Sequence, residues 1–328
     1  MLRGIDSYQL NASLTMNFDT RPVHADFGRE IIGVDLAGEL SARDVAELID
    51  LYHQHSMLLF RQQSLTPAAQ AQLAQRFGAA KIETRKQFNF REHPAVSTIG
   101  NIVDRSGRSL AFFVRGGFGW HTDGTAACHV NAATLLYAVE VPRDGGDTLF
   151  VSSAAAFDNA PQDLLEALEG VSYLTSFHAH NDPLYESDPQ AFIPLSPGER
   201  DALPPVWHRV VQTHPVSGRR LFYLYRNPID FDGVELETGN RLMRQALELA
   251  CAPEHVYRHR WQPGELIIWD NHAMLHSGTP TESYAEDRRL MHRSFVYTLP
   301  TARPLPNHTE LSRIFMPDES SISVDDFD

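Results

Sequence analysis

The sequence predicts a mainly β fold, an antiparallel double-sheet jelly roll decorated by flanking helices. Many short apolar or alternating segments are punctuated by turn residues at regular spacing, and helix-period segments are concentrated early in the chain. A chain of 328 residues is also long enough to bury about three quarters of its unfolded surface, so a sizeable dry core is available. No internal repeat and no composition shift divides it. The organisation read from the sequence is an arm over 1–24, one double-stranded β-helix domain over 25–315, and an acidic tail over 316–328.

Taken in order, residues 1–24 lack sustained periodicity and read as an extended arm. Ile31 to Leu36 reads as a strand. Ser41 then offers a helix N-cap, with Asp44 at the third helical position, and Val45, Leu48, Ile49 and Tyr52 recur at helical spacing to an end near His55. Ser56 to Arg61 is a short apolar run, a buried strand. A second helix starts at Leu65-Thr66-Pro67, with proline in the first turn, and closes at Gly78. Lys81 to Glu92 mixes polar and aromatic residues, as a loop over a pocket would. Further strands are expected at 96–101, 132–139 and 148–151, and short helices from Ser153 and over 161–168.

Prolines and acids dominate 176–205, and a long irregular insertion in a compact domain reads as a lid. The runs 206–213 and 220–225, joined by His214-Pro215-Val216-Ser217-Gly218, read as a hairpin. A helix over 240–251 follows, then strands at 257–261, 266–270 and 289–297. From Pro317 the chain is acid-rich and reads as a disordered end.

Composition narrows the function. A formal net charge of −14 argues against nucleic acid, because phosphate neutralisation needs clustered Lys and Arg. No apolar run is long enough to span a membrane and no leader pattern opens the chain, which leaves a soluble cytoplasmic protein acting on a small molecule as the expectation. Cys128 and Cys251 make neither a disulfide framework nor a zinc ribbon, so a metal would rely on histidine and carboxylate.

One such pair is His121 and Asp123 in Trp120-His121-Thr122-Asp123. In an extended segment residues i and i+2 share a face, so both can reach one ion, and two His with one carboxylate and open positions suit non-haem Fe(II). Among 16 histidines a single His-x-Asp arises by chance. It gains weight from Gly145-Gly146-Asp147-Thr148, Trp269-Asp270-Asn271 followed by His276, and Arg288-Arg289 followed by Arg293. In that order the motifs resemble the taurine/2,4-D (TauD/TfdA-like) family of Fe(II)/2-oxoglutarate-dependent dioxygenases. Weaker agreements are the Ile31 to Leu36 strand, the Leu65-Thr66-Pro67 helix start, Thr213-His214-Pro215 before Gly218-Arg219-Arg220, and Trp261-Gln262-Pro263-Gly264. The likeness runs from about residue 30 to 300.

The resemblance implies that His121, Asp123 and His276 hold Fe(II), that Thr148 and Arg289 bind 2-oxoglutarate, and that Arg293 meets an anionic substrate. A planar guanidinium offers paired donors to a carboxylate, which is why arginine suits these positions. His272 competes with His276 for the third ligand position, Asp270 reads as a turn cap, and His178 and His180 read as solvated or pocket-lining. The implied chemistry is decarboxylation of 2-oxoglutarate with O₂ to succinate and CO₂, coupled to oxidation of a substrate C–H. Hydroxylation is the usual outcome. An intact Asp123 disfavours halogenation, whose enzymes have a small residue there, while desaturation and oxidative decarboxylation stay open. Glu83 stands where sulfonate-oxidising relatives supply a histidine, which points to an amino-acid-like substrate with its ammonium at Glu83 and its carboxylate at Arg293. The alternatives are a sulfonate or sulfate-ester dioxygenase, a zinc hydrolase, or a jelly roll that binds metal without oxidising anything. Family members commonly associate, so a homo-oligomer is compatible with the resemblance.

Overall fold

The computed structural model describes residues 18–112, 119–126, 132–187, 193–281, 287–297 and 314–327. In chain order the first half contains β1 (Asp19–Pro22), β2 (Arg29–Ile32), α1 (Ala42–His55), β3 (Met57–Phe60), α2 (Pro67–Phe77), β4 (Ala80–Lys81), β5 (Ser97–Gly100), β6 (Ala133–Glu140) and β7 (Thr148–Ser152). Then come α3 (Ser153–Asp158), α4 (Gln162–Leu168), β8 (Ser172–Thr175), α5 (Phe177–Ser187), α6 (Pro197–Asp201), β9 (Val206–Arg209), β10 (Val211–Thr213), β11 (Arg220–Phe222) and β12 (Asp230–Asp232). The chain continues through α7 (Leu236–Ala250), β13 (Tyr257–His259), β14 (Leu266–Asp270), β15 (Met274–Gly278) and β16 (Leu290–Val296).

The larger sheet runs β1-β2-β3-β14-β6-β16-β4, with β5 also on β16, and β13-β7-β15 forms the strip that faces it. Alternation of side chains across each strand sorts the core into layers. Leu58, Phe60, Leu135, Tyr137, Leu266 and Ile268 point to the helix side and pack on Leu48, Tyr52, Leu73 and Phe77 of α1 and α2. Their neighbours Met57, Leu59, Leu136, Ile267, Trp269 and Met291 point between the sheets, where they meet Phe150 and Met274 from the facing strip. On the outer face of that strip, Val151 and Leu275 pack with α3, α4 and α7. This is the predicted double-sheet jelly roll. The parity also fixes the site: Thr148 shares a face with Phe150, His276 with Met274, and Arg293 with Met291, so all three aim between the sheets.

The helix starts are as read from the sequence. Ser41 and Asp44 form a reciprocal capping box, and Thr66 caps α2 ahead of Pro67. α7 begins four residues earlier than its periodicity suggests.

Several expectations are corrected. The run 206–213 is interrupted at Val210, whose amide bonds to Val171 and whose carbonyl accepts from Tyr223. β9 therefore pairs with β8, and only β10 joins β11 as a hairpin. The insertion 176–205 is not structureless, since it contains α5 and the capped helix α6. The acidic end is packed rather than disordered: Ile322 is fully buried, bridges to Phe90, and accepts the Arg91 amide. Its acids meet bases, Asp318 with Lys86 at 2.9 Å and Asp326 with Arg108 at 3.1 Å. Part of the N-terminal arm is strand β1, paired to β2.

Candidate active site

His276 lies on β15 directly opposite Phe150 of β7, with the Trp269 ring 4.8 Å away. His121 is held against it by two backbone hydrogen bonds, each residue's amide donating to the other's carbonyl at 3.0 and 2.9 Å. The segment is thus extended at His121 but turns from Asp123 to Ala126, with Gly124 at a φ of 82°. The turn, rather than a continuous strand, brings the carboxylate beside the imidazole. Ligand atoms of His121, Asp123 and His276 all lie within 4.8 Å of one another.

The distances within this trio are informative. His121 Nε2 is 3.8 Å from Asp123 Oδ1, and His276 Nε2 is 3.7 Å from Asp123 Oδ2. Both exceed hydrogen-bond length, so three electron-pair donors converge without bonding to one another, as ligands awaiting a cation do. His121 Nδ1 donates to the Gly119 carbonyl at 2.9 Å, which fixes the tautomer and turns the Nε2 lone pair inward. Burial, aided by His121, pushes His276 down to about 3, so it is neutral as a ligand must be. Burial alone would raise the Asp123 carboxyl, but His276, Arg293, His121 and the Thr134 hydroxyl outweigh it and hold it below the usual range. Residue types, convergence and protonation all fit Fe(II).

A polar bracket holds the carboxylate in place. Thr134 Oγ1 donates to Asp123 Oδ2 at 2.8 Å and accepts from Asn271 Nδ2 at 2.9 Å. Asn271 Oδ1 accepts the Asp123 amide and the Trp269 indole N–H. Thr134 and Asn271 were not singled out from the sequence. The signal was there: a threonine hydroxyl inside the apolar strand 132–139 must find a partner.

Beside the trio lies a cavity lined by Thr148, Arg289, Asn101, Leu136 and Trp269. Thr148 Oγ1 accepts the Trp261 indole N–H at 2.9 Å, which directs its own proton elsewhere. Arg289 crosses the backbone of Gly146, where an added Cβ would sit 3.2 Å from Nε, and Gly146 has a φ of 67°. Gly145 approaches the Pro280 carbonyl so closely that a Cβ would lie 2.2 Å from it. The Gly145-Gly146 pair is therefore required both by its turn and by the approach of the Pro280-Thr281 backbone and Arg289. The adjacent Arg288 points outward and pairs with Glu140, so the two arginines divide between surface and cavity.

A second cavity opens on the other side of His121 and Asp123, lined by Lys81, Glu83, Arg85, His180, Arg226 and Arg293, with Phe112, Phe177 and Tyr225 among its apolar walls. Glu83 and Arg293, the two residues expected to meet substrate, both line it. They are bonded to each other at 2.6 Å, both largely buried, and Glu83 Oε1 accepts the Thr84 amide. Burial would raise the Glu83 carboxyl, but Arg293, Lys81 and Arg85 around it hold it low. A carboxylate enclosed by three cations is already neutralised and is not waiting for an ammonium. Arg85 bonds Asn181 and lies 4.2 Å over the Phe112 ring. Phe112 lines both cavities, and residues 113–118 after it lie outside the described residues.

The other histidines have different tasks. His272 lies beside Asp270 and His214, away from the trio, so it is His276 and not His272 that converges with His121 and Asp123. His53, His214 and Asp270 also cluster closely. His214 Nδ1, however, accepts two backbone amides, from Val216 and Ser217, so Nε2 carries the proton and donates to Asp270 at 2.8 Å. A protonated nitrogen cannot ligate, and the pair is structural. His178 contacts the Arg200 carbonyl, whereas His180 lines the second cavity.

Comparison with known proteins gives the same family. The model of the taurine catabolism dioxygenase TauD, TfdA family matches residues 19–295. The α-ketoglutarate-dependent 2,4-dichlorophenoxyacetate dioxygenase of Cupriavidus pinatubonensis is 32% identical over 80% of this chain and 92% of its own. The (S)-phenoxypropionate/α-ketoglutarate-dioxygenase of Sphingobium herbicidovorans is 31% identical over 80% and 90%. Among solved structures, a taurine dioxygenase from Burkholderia xenovorans superposes with a TM-score of 0.67 at 25% identity, covering 85% of this chain and 90% of that one. The chain belongs to the TauD, TfdA family of dioxygenases.

Proposed function

We propose that this 2-oxoglutarate-dependent dioxygenase hydroxylates an unactivated C–H of a small organic anion, holding Fe(II) through His121, Asp123 and His276. One 2-oxoglutarate and one O₂ are consumed, and succinate, CO₂ and the hydroxylated product are released. The observation that carries the reading is the pair of cavities meeting at the trio, one lined by Thr148 and Arg289 and the other predominantly cationic. Iron, when bound, supplies one-electron chemistry towards O₂. The chain's own residues do the rest: Arg289 offers a carboxylate paired donors, Thr148 offers a hydroxyl proton, and Trp269 and Phe150 hold the His276 ring and exclude water. A hydrolytic zinc would have no use for Thr148 and Arg289 at its side, which favours oxidation over hydrolysis.

For the substrate, the neutralised state of Glu83 and the surplus of cations favour a plain anion over an amino acid. The substrates named for two relatives, 2,4-dichlorophenoxyacetate and phenoxypropionate, are carboxylates without an ammonium, which supports the same choice. The test is Fe(II)-dependent succinate formation and product mass across aryloxyalkanoates, alkyl sulfates, taurine and amino acids. Coupled turnover of the carboxylates or sulfates is expected, lost in Asp123→Ala and His276→Ala. Amino acids outperforming their deaminated counterparts would overturn the substrate reading, and unchanged turnover in either variant would overturn the ligand assignment.

A further inference from the structure

Arg293 is the arginine expected to meet a substrate anion, yet in this chain its charge is spent on Glu83. Lys81 sits over the Phe295 and Tyr297 rings, and Arg85 is engaged by Asn181 and Phe112. Arg226 is different. It lines the same cavity and makes no ion pair or hydrogen bond with a described residue. It is exposed at the cavity mouth, yet it is not without a seat. Its guanidinium lies on the backbone of Gly119, where a Cβ would fall 2.4 Å from Nη1, and Gly119 is the residue whose carbonyl orients His121. The Arg226 loop is fixed from behind by Tyr225, whose ring stacks on Tyr173 at 6.2 Å and 7°. The apolar walls Phe112 and Phe177 line the same space.

Resting on the proposed function above, we infer that Arg226 is the specificity-determining residue for this chain's substrate, anchoring its anionic group beside His121 while Arg293 is held by Glu83. Gly119 serves as the platform: it has a φ of 67°, which disfavours a side chain, and its missing Cβ leaves the place the guanidinium occupies. Placed there, the charge orients the substrate so that its uncharged portion extends along Phe112 and Phe177. The His180 ring, whose pKa is lowered by burial and by Arg85, Arg226 and His121, adds a neutral polar wall.

The experiment measures anaerobic binding, by calorimetry on the protein loaded with Fe(II) and 2-oxoglutarate. The probes are phenoxyacetate, 2-phenoxypropionate and hexanoate, each against its neutral amide. The wild type is expected to prefer carboxylate over amide, and Arg226→Gln to lose about 10- to 100-fold of carboxylate affinity, the weight of a charge-assisted contact, with amide affinity and 2-oxoglutarate affinity unchanged. The Glu83→Gln/Arg293→Gln double variant, which removes both members of the ion pair together, should keep the preference. If Arg226→Gln keeps the preference, or the double variant loses it, Arg226 is not the anchor. If the wild type shows no preference for any of the carboxylates, the anionic-substrate reading itself falls, and this inference with it.

Discussion

The two cavities that meet at His121 and Asp123 are built from different material. The one assigned to 2-oxoglutarate is framed by strands: Thr148 on β7, His276 on β15, and Arg289 at the entrance to β16, its backbone bonded both ways to Asn101. The one assigned to substrate is framed largely by connections, with Glu83 and Arg85 before β5, Arg226 after β11, and His180 on α5 in the insertion. Strand positions are fixed by a ladder and by parity, so what they hold can be common to a family. Loop positions can change their charges without disturbing the sheets, and that is where a chain departs from its relatives.

The sharpest way to separate the two halves is Arg289→Ala. On the proposed role of Arg289 it would remove paired charge-assisted contacts to 2-oxoglutarate and should raise its KM by about 100- to 1,000-fold. Affinity for substrate anions, thermal stability and metal content should stay near wild type. Arg289→Lys should recover only part, since a point charge cannot reproduce the fork. An equal loss of substrate-anion binding in Arg289→Ala would show that the two cavities are not separable.

The same contrast explains what could be read from the chain alone. His121, Asp123, Thr148, His276 and Arg289 stand in short motifs because each needs its immediate neighbours: Gly119 for a tautomer, Gly145 and Gly146 for a close approach, Trp269 and Asn271 for a bracket. The fold class was legible from strand patterning, but β8, β12 and β15 were not, being three to five residues long and too short to display a period. Glu83 was noticed, but its ion pair was not legible. Its partner is 210 residues away in sequence, and only the folded β16 brings Arg293 to it. Arg226 stands in no motif at all. The acidic end misled because its acids were conspicuous, while Ile322 and Phe327, which bind it to Phe90, were two apolar residues among many polar ones.

Glu83→Gln tests the substrate half with a smaller effect. Leaving Arg293 without its counter-charge should cost about 2 kcal/mol of stability at neutral pH. The folded carboxyl lies below its ordinary value of 4.5, so the stabilisation is present above that value and lost as pH falls through the folded one. Denaturant melts at pH 7 and at decreasing pH should therefore show wild type and variant converging on the acid side. A gap that stays constant with pH would mean that Glu83 acts by packing rather than by charge. The KM for 2-oxoglutarate should not move.

The smallest effect expected comes from the C-terminal segment. Ser321 Oγ donates to the Lys86 carbonyl at 2.9 Å, Asp318 holds the Lys86 ammonium, and Ile322 sits between Phe90 and Val96. These contacts fasten the stretch that carries Glu83 and Arg85, and none of them reaches β7 or β15. Ending the chain at residue 313 should release that stretch, because the buried Ile322 and the polar clamp go together. KM for a carboxylate substrate should rise a few-fold, while KM for 2-oxoglutarate holds. Ile322→Ala within the full chain should act in the same direction and more weakly, since it leaves the Lys86 contacts in place. A matched rise in both KM values would assign the segment to general stability. A rise for substrate alone would place it among the connections that shape the substrate cavity rather than the sheets.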